Sequence, residues 1–212
     1  MKKGIIFDLD GTLWNSVDSV AESWNIVGER RLGKNFNITT ETLSRYMGKT
    51  MDQFLTIFDG VKPEQAKLLL DECMEYELEY LREKPGTLYP KVREVLEELS
   101  KEYRLFIVSN CQVGYIETFL EVMNMESLFE DYEDYGRTGL PKGENIKILV
   151  ERAKIKDAIY VGDTQGDYEA TMVADIPFIF ASYGFGTVPE VPNSIVRFEE
   201  LNAIFLAHNF ER

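Results

Sequence analysis

Near its start the chain carries Gly4-Ile5-Ile6-Phe7, a run without a polar side chain that stops abruptly at Asp8 and Asp10. A strand with no apolar/polar alternation is buried on both faces, which is the condition of a central strand in a parallel sheet. In such sheets ligands collect in the crevice at the carboxyl ends of the strands. Asp8 and Asp10 lie at that end. If the strand continues, its period of two puts both carboxylates on one side and Leu9 on the other. Two like charges so close raise each other's pKa unless they share a proton or a cation such as Mg2+, which prefers oxygen ligands. Gly11 permits a sharp turn, and Thr12 offers a hydroxyl to the backbone or to a carboxylate.

The rest of the chain divides by its grammar. Val17, Val20, Ala21, Trp24 and Val27 recur at helical spacing up to a break at Gly33-Lys34-Asn35. Thr39 or Thr40 caps a second helix ending before Gly48, and Met51, Phe54, Leu55 and Phe58 mark a third, stopped by Asp59-Gly60. Pro63 opens a fourth, with Ala66, Leu69, Leu70, Cys73, Leu78 and Leu81 on its apolar side and Pro85-Gly86 at its end. From Pro90 onwards helices alternate with short strands, Leu105-Phe106-Ile107-Val108, Ala158-Ile159-Tyr160-Val161 and Phe178-Ile179-Phe180. This alternation predicts an α/β fold with a parallel sheet and right-handed crossovers. The expected organisation is a Rossmann-like three-layer core from residues 1–14 and 86–212, with residues 15–85 as a small all-helical cap domain inserted after the first strand.

Composition narrows the function. A formal charge of −14 over 212 residues opposes nonspecific binding to nucleic acid or to an anionic membrane. An acidic chain must gather its few cations locally to hold an anion, so single Lys and Arg positions become informative. No stretch approaches the roughly 20 apolar residues needed to span a bilayer. The two cysteines, Cys73 and Cys111, form no Cys-x-x-Cys pair, and a reducing, cytoplasmic setting is the expectation. His208 reads as an ordinary terminal-helix residue. The run Glu130-Asp131-Tyr132-Glu133-Asp134 and the carboxylates between Asp71 and Glu83 read as solvent-facing.

Three strands end in polar residues: Asp8 and Asp10, Ser109 and Asn110, and Asp163 with Asp167 just beyond. Each alone is an ordinary turn former or helix cap. Together, at the same edge of one parallel sheet, four carboxylates, a hydroxyl and an amide converge, with Lys142 as a cation from a preceding loop. Asp8, Asp163 and Asp167 suit Mg2+, and with Lys142 that cation would neutralise a phosphate enough for an anionic carboxylate to attack it. In this reading Asp8 is the nucleophile and Asp10 the general acid and base.

These motifs resemble those of the haloacid dehalogenase superfamily on its phosphatase branch: Asp8-Leu9-Asp10-Gly11-Thr12-Leu13, then Ser109-Asn110, then Lys142, then Gly162-Asp163-Thr164-Gln165-Gly166-Asp167. The resemblance implies Mg2+-dependent phosphoryl transfer through an aspartyl-phosphate, with Asp8, the Asp10 carbonyl, Asp163 and Asp167 serving the metal. It assigns Ser109, Asn110 and Lys142 to the phosphate, and Thr12 to the same binding region. Leu88-Tyr89-Pro90-Lys91-Val92 and Tyr183-Gly184-Phe185-Gly186 are similar to features of phosphoglycolate phosphatase-like proteins, although Asn15 stands where those usually have Asp and Gly143 where Pro is common.

The expected activity is hydrolysis of a small phosphorylated metabolite. The alternatives are a β-phosphoglucomutase-like phosphomutase and a non-catalytic phosphometabolite binder. Asp10 argues against dehalogenation, because halide leaves without a proton. Arg45 and Lys49, in the helical block, are candidates for a second anionic group of the substrate; for each the competing reading is a solvated surface charge. Gly48-Lys49-Thr50 imitates the end of a phosphate-binding loop, but Leu43 occupies its required first glycine.

Overall fold

The computed structural model describes residues 3–191 and 193–205. His208 lies outside the described residues. The chain begins with β1 (Gly4–Phe7) and β2 (Trp14–Asn15), then runs through four helices, α1 (Val17–Leu32), α2 (Thr40–Ser44), α3 (Met51–Phe54) and α4 (Pro63–Glu83). It returns through β3 (Thr87–Leu88), α5 (Val92–Leu99), β4 (Arg104–Ser109), α6 (Tyr115–Met123), β5 (Phe129–Asp134), α7 (Tyr135–Thr138) and α8 (Lys142–Arg152). β6 (Ala158–Gly162), α9 (Gln165–Ala174), β7 (Phe178–Ala181), β8 (Ser194–Ile195) and α10 (Glu200–Phe205) complete it.

The six-stranded sheet has the order β5-β4-β1-β6-β7-β8, and every pairing in it is parallel. β1 is central because it is apolar on both sides, and the alternation of its side chains divides the core in two. Ile5 and Phe7 join Leu105, Ile107, Ile159, Val161 and Ile179 on one face, packed against α5, α6 and α10. Ile6 joins Phe106, Val108, Tyr160 and Phe178 on the other, packed against Ile146 and Leu149 of α8 and Ala170 of α9. This is the three-layer α/β arrangement that the strand and helix grammar predicts.

The helices from Val17 to Glu83 lie between β2 and β3, which pair antiparallel through Trp14 with Leu88 and Asn15 with Thr87. Both connections between the helices and the sheet therefore pass through one narrow ribbon. α4 starts with Pro63 at its first turn, where the missing N–H is no loss, and presents Ala66, Leu70, Cys73, Glu77 and Leu81 on its buried side. α1 meets that side with Val20, Trp24 and Val27.

Several local expectations need correction. The acidic run at 130–134 does not face solvent throughout: it is strand β5, in which Glu130 is exposed but Glu133 and Asp134 are buried. Arg152 reaches Glu133 at 2.5 Å, and Asp134 Oδ1 accepts from the Arg137 amide at 2.8 Å to cap α7 while its Oδ2 stays buried and unmatched. Charge counting missed this because an edge strand can face inward with acids when a neighbouring helix supplies arginine. Glu77, placed among solvent-facing carboxylates by the same reasoning, is buried as well. Lys142 is the first residue of α8 rather than a loop residue.

Candidate active site

The site begins where β1 gives out. Asp8 donates its amide to the Val161 carbonyl at 2.8 Å and is the last residue held by the sheet; the Leu9 carbonyl then accepts from the amides of Thr12, Leu13 and Trp14 in a tight turn. Gly11 in that turn has a φ of +87°, and a Cβ there would stand 2.2 Å from Asp163 Oδ2. A glycine is needed both for the backbone angle and to let the turn lie against Asp163.

Asp163 follows β6, and Asp167 sits in the first turn of α9. Asp167 forms a capping box with Thr164, whose amide donates to Asp167 Oδ2 at 2.9 Å and whose hydroxyl donates at 2.7 Å. Lys142 Nζ donates to Asp8 Oδ1 at 2.8 Å and to Asp167 Oδ1 at 2.6 Å. Asp163 Oδ2 accepts from the Phe185 amide at 2.7 Å, and the Thr12 hydroxyl lies 3.5 Å from its Oδ1. One oxygen from each of Asp8, Asp163 and Asp167 lies within 4.8 Å of the others, with all three residues buried.

Three buried carboxylates stand here, and one ammonium bonds two of them. Burial raises the Asp8 carboxyl to about 7; Lys142 opposes the shift, and Asp167 adds to it. Burial and then the neighbouring Asp167 and Asp8 charges push Asp163 well above the ordinary carboxylate range. Burial disfavours charge on Lys142 too, but Asp167 and Asp8 outweigh it and hold the amine above the ordinary lysine value. Asp8 Oδ2 is buried without a hydrogen-bond partner. An excess of negative charge around hard oxygen donors, with one oxygen left unmatched, is a set that a small divalent cation would complete.

Asp10 is held differently. Its Oδ1 accepts from the Ser16 hydroxyl at 2.6 Å and from the Tyr115 hydroxyl at 2.9 Å, and Tyr115 and Ser16 are themselves 2.8 Å apart. Burial raises this carboxyl to about 6, against the pull of those hydrogen bonds. A proton near neutrality is therefore within reach at Asp10, on a side chain with a fixed direction.

A cavity of about 40 Å³ opens over Asp8 and Asp10, lined on the strand side by Ser109 and Asn110 and on the helical side by Trp24 and Glu77, among others. Asn110 Nδ2 donates to the Gly48 carbonyl at 2.8 Å, tying the second strand end to the loop before α3, and its Oδ1 is unmatched. Lys49 lines the same cavity, exposed at its rim, with Nζ 4.3 Å from the centre of the Tyr46 ring. Arg45 does not line it: its guanidinium is exposed and pairs Glu41 at 2.6 Å across one helical turn.

Sequence reasoning passed over Glu77, Trp24, Gln112, Tyr115 and Ser16. The first could have been found, because Glu77 falls in register with Leu70, Cys73 and Leu81 on the buried stripe of α4, where a carboxylate needs a reason. The others carried no such mark.

The chain belongs to the haloacid dehalogenase-like hydrolases, whose family model matches residues 5–181. Among curated proteins it is 28% identical to a phosphoglycolate phosphatase of Haemophilus influenzae, over 86% of this chain and 87% of that one. It is 23% identical to a phosphoglycolate phosphatase of Shigella boydii, over 97% of this chain and 92% of that one. A haloacid dehalogenase-like family hydrolase from Streptococcus pneumoniae shares the fold with a TM-score of 0.82 at 21% identity, over 96% of this chain and 98% of that one. A phosphatase, the class expected from the sequence, is what both curated relatives are named.

Proposed function

We propose that the protein is a Mg2+-dependent phosphatase that hydrolyses a small-metabolite phosphomonoester through an aspartyl-phosphate, in the manner of phosphoglycolate phosphatase-like enzymes. The observation that carries this reading is the state of Asp8, which lines a cavity: one oxygen is bound by Lys142, and the other is buried and unmatched. Asp8, Asp163 and Asp167, with the Asp10 carbonyl, would hold Mg2+, which when bound supplies positive charge to the phosphoryl oxygens.

The residues of the chain account for the remaining chemistry. Asp8 attacks phosphorus with a carboxylate oxygen, forming a P–O bond as the ester P–O bond breaks. Asp10, protonated, gives its proton to the departing alkoxide, a contribution of ~10² to 10⁴ in rate. The ionised Asp10 then takes a proton from water as that water attacks phosphorus, and the Asp8–phosphorus bond breaks to release inorganic phosphate and restore both carboxyls. Lys142 holds Asp8 in line and offsets negative charge on the phosphoryl group. Ser109 and Asn110 bind its oxygens, and Thr12 supports Asp163 from behind.

Residues 1–14 and 86–212 act as the catalytic core and residues 15–85 as a cap in this reading. The β2–β3 ribbon is the hinge across which the cap opens, since a cavity of about 40 Å³ holds only a few waters and must widen to admit a metabolite. Two free, buried cysteines are in keeping with a reducing cytoplasm. Among the described residues no helix is long and apolar enough to cross a membrane.

The test is Mg2+-dependent release of phosphate from p-nitrophenyl phosphate by the full chain, with Asp8→Asn as control. Release that survives Asp8→Asn, or that is indifferent to chelation, overturns the proposal. A phosphomutase would instead return an isomerised sugar phosphate, seen by chromatography.

A further inference from the structure

Opposite the carboxylates, the cavity wall is built from the helical block and has its own chemistry. Trp24, Met47, Met51, Phe54 and Met74 make it apolar, and Glu77 interrupts it with a carboxyl only 3% exposed. Trp24 Nε1 donates to Glu77 Oε2 and Gln112 Nε2 donates to Oε1. These two donors, one from each side of the cavity, fix the plane of the carboxylate without using up its lone pairs.

The charges lining the cavity are unbalanced. Asp8, Asp10 and Glu77 line it with carboxylates, against Lys49, whose ammonium rests on the Tyr46 ring at the rim. Lys142, beneath Asp8, is already shared between Asp8 and Asp167. A phosphate placed on the strand side has Lys142 and the metal site to meet it. A second anion at the other end of the substrate would meet Glu77 in an apolar wall. The burial that pushes the Glu77 carboxyl up to about 8 would penalise a substrate carboxylate there in the same way.

We infer that Glu77 is a specificity-determining residue that receives a hydrogen-bond donor, ammonium or hydroxyl, at the far end of the leaving alcohol, so that the substrate is a phosphomonoester with a short apolar stem and no carboxylate. This rests on the phosphatase reading given above and separates the chain from relatives that carry the name phosphoglycolate phosphatase, since glycolate ends in a carboxylate. The apolar side chains take the stem, Glu77 takes the donor, and a carboxylate in place of that donor loses its water without finding a partner and meets like charge once Glu77 is ionised.

Three non-hydrolysable phosphonates of matched size test this by calorimetric titration into the full chain with Mg2+ at about pH 9, where Glu77 is ionised: 2-aminoethylphosphonate, 2-hydroxyethylphosphonate and phosphonoacetate. The first two should bind at least ~10-fold more tightly than phosphonoacetate, and a difference between them tells whether the donor is charged. Glu77→Gln should bring phosphonoacetate closer to the other two by ~5-fold or more, because a neutral amide no longer repels it. Phosphonoacetate binding as tightly as the others in the unaltered protein overturns the inference, and that comparison needs no variant to fold. It is equally overturned if Lys49→Ala selectively weakens phosphonoacetate, which would make the rim lysine a carboxylate receptor. If none of the three binds, the inference falls with the phosphate site, and p-nitrophenyl phosphate turnover reports separately on that reading.

Discussion

The two sides of the cavity hold buried acids in opposite ways. On the sheet side, Asp8, Asp163 and Asp167 lie together with one lysine between Asp8 and Asp167, each acid fixed by the end of a strand or the first turn of a helix. On the helical side, Glu77 stands without a cation and is held by two neutral donors. The first arrangement concentrates charge that only a cation can relieve, and its positions follow from backbone elements that cannot slide. The second tolerates a carboxyl by surrounding it with apolar area and two hydrogen bonds, on helices tied to the sheet through a two-residue ribbon. In the proposed reading, chemistry falls to the rigid side and selection to the side that can adapt.

The comparison breaks most directly at Asp8. Asp8→Asn should leave phosphate release below detection while near-ultraviolet circular dichroism stays that of the parent. Full activity in that variant would remove any chemical role from the sheet side. Asp10→Asn should lower kcat by ~10² to 10⁴, with release of p-nitrophenolate, a leaving group that needs little help from a proton, affected least. Equal losses for all leaving groups would place Asp10 outside proton transfer.

Asp163→Asn separates the two kinds of acid site. It removes one of three crowded carboxylates, so in chelator it should raise the melting temperature, while Mg2+ should no longer stabilise the variant as it does the parent. A variant that melts below its parent in chelator would mean that the cluster is not strained by its own charge.

The pH dependence of stability sharpens the same contrast. Asp8 moves from an ordinary 3.8 to about 7, Asp10 to about 6, and Glu77 from 4.5 to about 8. In each case the folded state holds its proton more tightly than the unfolded one. The sign is therefore a loss of stability as pH rises from about 4 to about 8 in metal-free buffer, complete only above the folded values. Mg2+ should restore the share due to the sheet-side cluster, and Glu77→Gln should flatten what remains between pH 5 and 8, as read by thermal melts across that range. A chelated protein whose stability rises over that window would contradict both environments.

The smallest effect is expected at Arg45. Its exposed guanidinium pairs with Glu41 on its own helix, so Arg45→Ala should change kcat/KM by less than ~2-fold. A larger loss of affinity with kcat preserved would show that this arginine swings to the cavity when the helical block closes.

The sheet-side half of the site was open to reading because it sits where backbone geometry leaves little freedom. An apolar run such as Gly4–Phe7 has to be a central strand, and the residues after it and after its neighbours have to meet at one edge. Asp8, Ser109 and Asp163 could thus be brought together from separate stretches of sequence. The helical grammar of Val17 to Glu83 was equally plain, since Pro63 and the apolar stripe of α4 are local signals.

β5 and Glu77 escaped because charge was read as exposure. Glu133 is buried between Arg137, four residues on, and Arg152, which arrives from α8 and which no local pattern announces. Glu77 is accepted in the core only because Trp24 of α1 and Gln112, between β4 and α6, come to it from 53 and 35 residues away in the chain. The sequence by itself determined the parallel core and the carboxylates at its edge, because strand periodicity and turn chemistry are properties of neighbouring residues. Only the tertiary structure decided which acids are buried and what faces them, because desolvation and pairing depend on groups that folding brings from elsewhere.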